Sequence, residues 1–145
     1  MNTTTPFSLR LSWAEGLFER GDFLAAATAL AELVDEIDSA QQASSSEGVL
    51  HSVTDLRLLL ARAYFKSAQL GRAEVTLARV IEEAPTDAYA HLLLGRTLQR
   101  AGRHDEAARP LALAEIFGGY ERPKAYGTNA PGPADHPSPA ASTTA

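Results

Sequence analysis

Residues 54–87 recur as residues 88–121. A shift of thirty-four puts Leu60 on Leu94, Ala61 on Gly95, Arg62 on Arg96, Ala73 on Ala107 and Leu77 on Leu111. A fixed period of this length means one supersecondary unit copied along the chain. No single copy can bury its apolar face alone, so neighbouring copies must stack. An earlier copy covers residues 7–40, offset from the second by forty-seven rather than thirty-four, which inserts thirteen residues at about 41–53. Few architectures open to a chain of 145 residues satisfy that constraint.

The period within each copy is helical. Leu9, Trp13, Leu17 and Phe18 recur at helix spacing from a Thr5-Pro6 start, where Thr5 is the expected cap and Pro6 the first helical residue. Gly21 suits a left-handed turn, Asp22 caps the next helix, and Phe23, Ala26, Leu30, Leu33, Val34 and Ile37 form its buried stripe. Ser44-Ser45-Ser46-Glu47-Gly48 reads as loop. A third helix is expected after a Thr54 cap, a fourth from about Leu70 to Pro85, a fifth from a Thr86 or Asp87 cap to Gly102, and a sixth from His104 to Gly118-Gly119. Pro110 should kink the last helix or tighten its first turns. Residues 6–119 thus form an all-α domain of three helix-turn-helix hairpins, and the Pro/Ala/Ser/Thr-rich residues 120–145 read as a disordered tail.

Composition narrows the function classes. With no cysteine, disulfides and thiolate metal sites are excluded. The four histidines, His51, His91, His104 and His136, lack metal-ligand spacing; His91 reads as a packing residue and His104 as part of the turn before the last helix. No nucleophile–base pair or phosphate loop stands out, so neither catalysis nor a cofactor is expected. No apolar run reaches eighteen residues and the N-terminal segment has no signal-peptide pattern, so the expectation is no membrane and a cytoplasmic location. A net charge of −5 argues against nucleic acid as a partner. That charge is uneven. Residues 7–40 hold two basic and seven acidic side chains, whereas residues 54–121 hold nine of each.

The aligned residues resemble the tetratricopeptide repeat (TPR) family, whose pattern has a tryptophan-like slot, Leu-Gly, a tyrosine-like position, Ala, an aromatic or leucine, and proline. The last unit reads His91, Leu94-Gly95, Leu98, Ala107, Leu111 and Gly119; the middle unit Arg57, Leu60-Ala61, Tyr64, Ala73, Leu77 and Pro85; the first Arg10, Trp13-Ala14, Leu17, Ala26, Leu30 and Asp38. The tryptophan slot therefore holds Arg10, Arg57 and His91. The resemblance implies a short right-handed superhelix and a non-catalytic adaptor or scaffold for protein–protein interaction. It also implies a concave groove lined by the first helix of each hairpin.

On that face fall Glu15, Phe18 and Glu19 of the first unit, Leu58, Arg62, Phe65 and Lys66 of the second, and Tyr89, Leu92, Arg96, Gln99 and Arg100 of the third. Arg62 and Lys66, like Arg96 and Arg100, are four apart and share a helix face, and the repeat sets the two pairs side by side. The expected partner is a peptide of acidic character, with Glu15 and Glu19 making the opposite end acidic. A pairing of Glu19 with Arg62 is the competing expectation. Leu11, Glu15 and Leu58 stand where the carboxylate-clamp subfamily carries polar or cationic groups, so the likeness does not extend to that subfamily. Leu113, Ile116 and Phe117 end the array without a polar cap, leaving an apolar edge for self-association into a homodimer unless Tyr120 and Tyr126 fold back over it.

Overall fold

The computed structural model describes residues 5–43 and 50–119. Six helices follow in order: α1 (Phe7–Glu19), α2 (Phe23–Ala43), α3 (Leu50–Lys66), α4 (Leu70–Glu83), α5 (Ala88–Arg100) and α6 (His104–Gly118). Each packs on its successor, giving the hairpins α1–α2, α3–α4 and α5–α6 joined through α2–α3 and α4–α5. No strand occurs among the described residues. The expected tail, with Tyr120 and Tyr126, and the serine run lie outside them.

The same turn closes all three hairpins. Gly21, Ala68 and Gly102 occupy equivalent repeat positions with φ of 84°, 62° and 80°. Each donates its N–H to the carbonyl three residues back, and the following residue donates to the carbonyl five back: Asp22 to Leu17, Gln69 to Tyr64, Arg103 to Leu98, at 2.8–2.9 Å. This Schellman closure satisfies carbonyls that the helix end would otherwise leave unpaired. Ala68 holds the left-handed conformation despite its Cβ. Asp22 and Asp87 cap the helices that follow them, accepting from Ala25 and Ala90 at 3.3 and 2.9 Å.

Small residues set the helix spacing within the hairpins. Ala14, Ala26, Ala61, Ala73 and Ala107 are all buried. At Gly95 the approach is closest: a Cβ there would lie 2.5 Å from both Cγ and Cδ2 of Leu111. Leu30, Leu33, Leu77 and Val80 fill the space around these crossings and are fully buried.

Two local expectations fail for identifiable reasons, and part of one apolar stripe stays open to solvent. Residues 41–43 and 50–53 are helical: α2 runs to Ala43 and α3 begins at Leu50, so Thr54 lies inside α3 rather than capping it. Buried Val53 extends the apolar stripe of Leu56 and Leu60 by a turn, which favours the longer helix. Pro6 takes the cap position with ψ of 142°, and α1 starts one residue later than expected. On α1, Leu9 and Trp13 are 60% and 59% exposed, and the buried residues are Ala14 and Leu17. The missing neighbour explains this, because their counterparts Leu56 and Leu60 are buried in the core that α3 shares with α2, whereas no described element precedes α1. Pro110 is accommodated within α6, which continues through it as one helix with the proline ring buried.

The units are also tied by a polar contact at the tryptophan slot. In each hairpin the slot residue meets the side chain twenty-six positions later: Arg10 pairs with Glu36, Arg57 with Glu83, and the His91 ring lies 5.5 Å from that of Phe117. In units two and three it also reaches back one unit. Arg57 binds Asp38, and His91 Nε2 donates to the carbonyl of Pro85 at 2.8 Å, which requires the Nε2–H form of the ring. Asp38 and Pro85 are the same repeat position. The Arg57 side chain is 4% exposed and Glu83 14%, with Glu83 also accepting from Arg79 Nε at 3.1 Å and Thr54 Oγ1 at 2.7 Å.

Candidate binding groove

The groove is built on the first helices of the hairpins. A cleft of about 360 Å³ is lined by Arg62, Phe65, Lys66, Tyr89, Leu92, Leu93 and Arg96. A neighbouring one of about 380 Å³ is lined by Asp55, Leu58, Leu59, Arg62 and Tyr89. Arg62 and Tyr89 belong to both, so the two form one furrow between α3 and α5. It has an apolar floor with cations on its walls, and each half is within the size range of sites for small ligands or side chains.

Aromatic rings hold the cations in place. The Arg62 guanidinium carbon lies 4.9 Å from the ring centre of Phe18 and 6.0 Å from that of Tyr89, which spans α1, α3 and α5. Lys66 Nζ stands 5.8 Å over Phe23, and Phe23 meets Phe18 edge-to-face at 5.1 Å. Arg100 lies 5.2 Å from the Phe65 ring centre and donates from Nη1 to the Phe65 carbonyl at 2.6 Å. Such contacts favour the cation by roughly 0.5–1 kcal/mol each where exposed. A guanidinium facing a ring keeps its N–H donors, which radiate from the edge, free for a planar acceptor.

Partnering separates these cations from four other arginines, while among the described residues Arg20, Arg72 and Arg109 also have no ion pair. Arg10, Arg57, Arg79 and Arg103 are all ion-paired. Among the described residues no carboxylate pairs with Arg62, Lys66, Arg96 or Arg100, so the expected Glu19–Arg62 pair is absent. Phe18 occupies that side of Arg62 instead. Arg103 shows the contrast: it binds Glu74 and Glu106 at 2.6 Å, and this contact holds the Glu106 carboxyl below its usual range. Behind the groove, burial pushes the Tyr64 hydroxyl above its ordinary value.

Of the residues expected on this face, the structure brings Leu58, Arg62, Phe65, Lys66, Tyr89, Leu92 and Arg96 into the two clefts. Phe18 and Arg100 join through their ring contacts. Glu15, Glu19 and Gln99 are exposed and line neither cleft. The sequence pattern puts Phe23 in the buried stripe of α2, and the structure leaves it half-buried. Its place immediately after the hairpin turn, beside the end of α3, is the signal that puts it under Lys66. Leu59 and Leu93 are additional lining residues, adjacent in sequence to expected ones. Leu113 is half-buried, while Ile116 and Phe117 are 73% and 42% exposed.

Among the described residues no three His, Asp or Glu side chains are grouped to hold a metal, and no helix is long and apolar enough to cross a membrane. No curated protein sequence matches the chain. A family model, Tetratricopeptide repeat, matches residues 17–96, which include the C-terminal end of α1, all of α2 to α4 and residues 88–96 of α5. Repeats of this kind generally mediate protein–protein interaction and typically act as non-catalytic scaffolds. With the family match, the tandem hairpins and the repeated small-residue crossings in agreement, this chain belongs to the tetratricopeptide repeat family.

Proposed function

We propose that this protein is a non-catalytic adaptor that binds a partner peptide of acidic character in the furrow between α3 and α5. The observation that carries this reading is the set of four cations, Arg62, Lys66, Arg96 and Arg100, which line one face without carboxylate partners while Arg10, Arg57, Arg79 and Arg103 are neutralised. Arg62 is preorganised by Phe18 and Tyr89, which reduces the ordering cost of presenting its donors to a carboxylate. Leu58, Leu92 and Phe65 supply an apolar surface for side chains flanking the acidic group. The test is capture from native lysate, read by mass spectrometry, with wild-type protein and the Arg62→Glu/Arg96→Glu variant. The variant should keep its helical circular dichroism and lose the captured partners. Capture that survives the double reversal refutes the proposal.

A second reading, self-association through the third hairpin, is favoured by a separate observation. Leu113, Ile116 and Phe117 occupy positions held by Arg79, Glu82 and Glu83 in the second unit and by Glu32, Asp35 and Glu36 in the first. The last hairpin has thus exchanged a charged surface for an apolar one that is open to solvent at Ile116 and Phe117.

A further inference from the structure

The furrow carries charge of both signs, at different places along its length. Asp55, Leu58, Arg62 and Lys66 follow one another along one face of α3, and Tyr89, Leu92, Arg96 and Arg100 hold the same repeat positions on α5. Lys66 and Arg96 line the cleft of about 360 Å³ together with Arg62, whereas Asp55 lines the neighbouring cleft of about 380 Å³. Arg62 and Tyr89 stand where the two join. Asp55 is exposed and, like the four cations, has no ion-pair partner among the described residues. The equivalent position is Ser8 in the first unit and Tyr89 in the third, so Asp55 is the one carboxylate of its row.

One end of the furrow therefore favours an anion and disfavours a cation, and the other end does the reverse. A helix rise of about 1.5 Å per residue sets Asp55 about 10 Å along the axis from Arg62 and about 16 Å from Lys66. An extended chain covers that distance in roughly three to five residues. We propose that the bound segment is extended and bipolar, with an acidic residue at Arg62, Lys66 and Arg96 and a lysine or arginine at Asp55, about three to five positions away. Apolar side chains between the two charges then lie on Leu58 and Leu92. The inference rests on the acidic-peptide reading and adds a second requirement to it, for which Asp55 is the selecting residue. Asp55 also repels a second anion from its cleft, so a uniformly acidic segment fits the furrow worse than a mixed one. Glu15 and Glu19, which hold the repeat positions of Arg62 and Lys66 on α1, are the rival partners for the basic residue. They line neither cleft, which leaves Asp55 as the carboxylate within the furrow.

The test is affinity selection from a phage-displayed library of random peptides, with the wild-type chain, Asp55→Lys and Glu15→Lys/Glu19→Lys as baits. All three substitutions fall at exposed positions, and circular dichroism would check the helical content of each bait. The wild type should enrich peptides with an acidic residue and a lysine or arginine about three to five positions from it. Asp55→Lys should keep the acidic residue and exchange the basic preference for a second acid, whereas Glu15→Lys/Glu19→Lys should select as the wild type does. Replacing the basic residue of a selected peptide by alanine should weaken its binding to the wild type about two- to fivefold, the worth of a solvent-exposed ion pair, and leave its binding to Asp55→Ala unchanged. Acidic enrichment without a basic preference overturns the bipolar inference and leaves the acidic-peptide reading standing. A basic preference that persists in Asp55→Lys, or disappears in Glu15→Lys/Glu19→Lys, overturns it in the same way. Selected peptides without acidic enrichment overturn both.

Discussion

Replacing Arg57 by methionine tests the joint between the first two units. The guanidinium is 4% exposed and holds two carboxylates, Glu83 at 14% and Asp38 at 37% exposure, so the substitution strands negative charge in a largely dry site. Removing one member of a buried ion pair typically costs about 3–5 kcal/mol. Glu83 would keep Arg79 and Thr54, and Asp38 can hydrate through its open side, which places Arg57→Met at the low end, about 3 kcal/mol. For a domain of this size that corresponds to a fall in Tm of roughly 10–15 °C. Urea unfolding followed by circular dichroism would measure the loss. The triple variant Asp38→Ala/Arg57→Met/Glu83→Leu should recover most of it, because no unpaired charge then remains buried. A loss below about 1 kcal/mol for Arg57→Met, the range of solvent-exposed pairs, would refute the reasoning.

Two further substitutions test the backbone. Ala68→Gly should raise stability by up to about 1 kcal/mol, since glycine removes the Cβ penalty of the left-handed turn, part of which its greater unfolded-state entropy offsets. Thermal melts would show the gain, and an unchanged or lower Tm would contradict the turn assignment. Gly95→Val should lower stability by about 1–3 kcal/mol through overpacking against Leu111, and the same melts would show it. Tolerance at that site would mean that α5 and α6 do not cross as closely as described.

What the sequence made legible follows from what a repeat constrains. The period aligned Ala61 with Gly95 and Arg62 with Arg96, and the structure places the first pair at helix crossings and the second along the furrow. The same alignment contains the slot contacts, because Arg10, Arg57 and His91 are in register, as are Glu36, Glu83 and Phe117. A slot read as degenerate packing hid the ion pairs, since hydrophobic patterning gives a buried arginine no partner. Periodicity puts Leu9 and Trp13 on an apolar face of α1 without stating whether a neighbour covers it. The start of α3 is missed because Thr54 reads as a cap, whereas the burial of Val53 that favours the longer helix depends on tertiary contact.

The two joints of the stack use unlike chemistry, and this gives the array a preferred direction of opening. Coupling in such arrays is largely nearest-neighbour, so each joint yields according to its own strength. The joint between units one and two includes the Arg57–Asp38 ion pair, whose solvent-open carboxylate exposes it to screening by salt, whereas that between units two and three includes a hydrogen bond from His91 to a backbone carbonyl, with no carboxylate partner among the described residues. Rising salt should therefore loosen the first hairpin and take Phe18 away from Arg62. The α3–α5 walls with Tyr89, Leu92 and Arg96 would stay in place. The first hairpin then acts as a salt-adjustable brace on Arg62, coupling the solution conditions to how firmly the furrow presents its central cation.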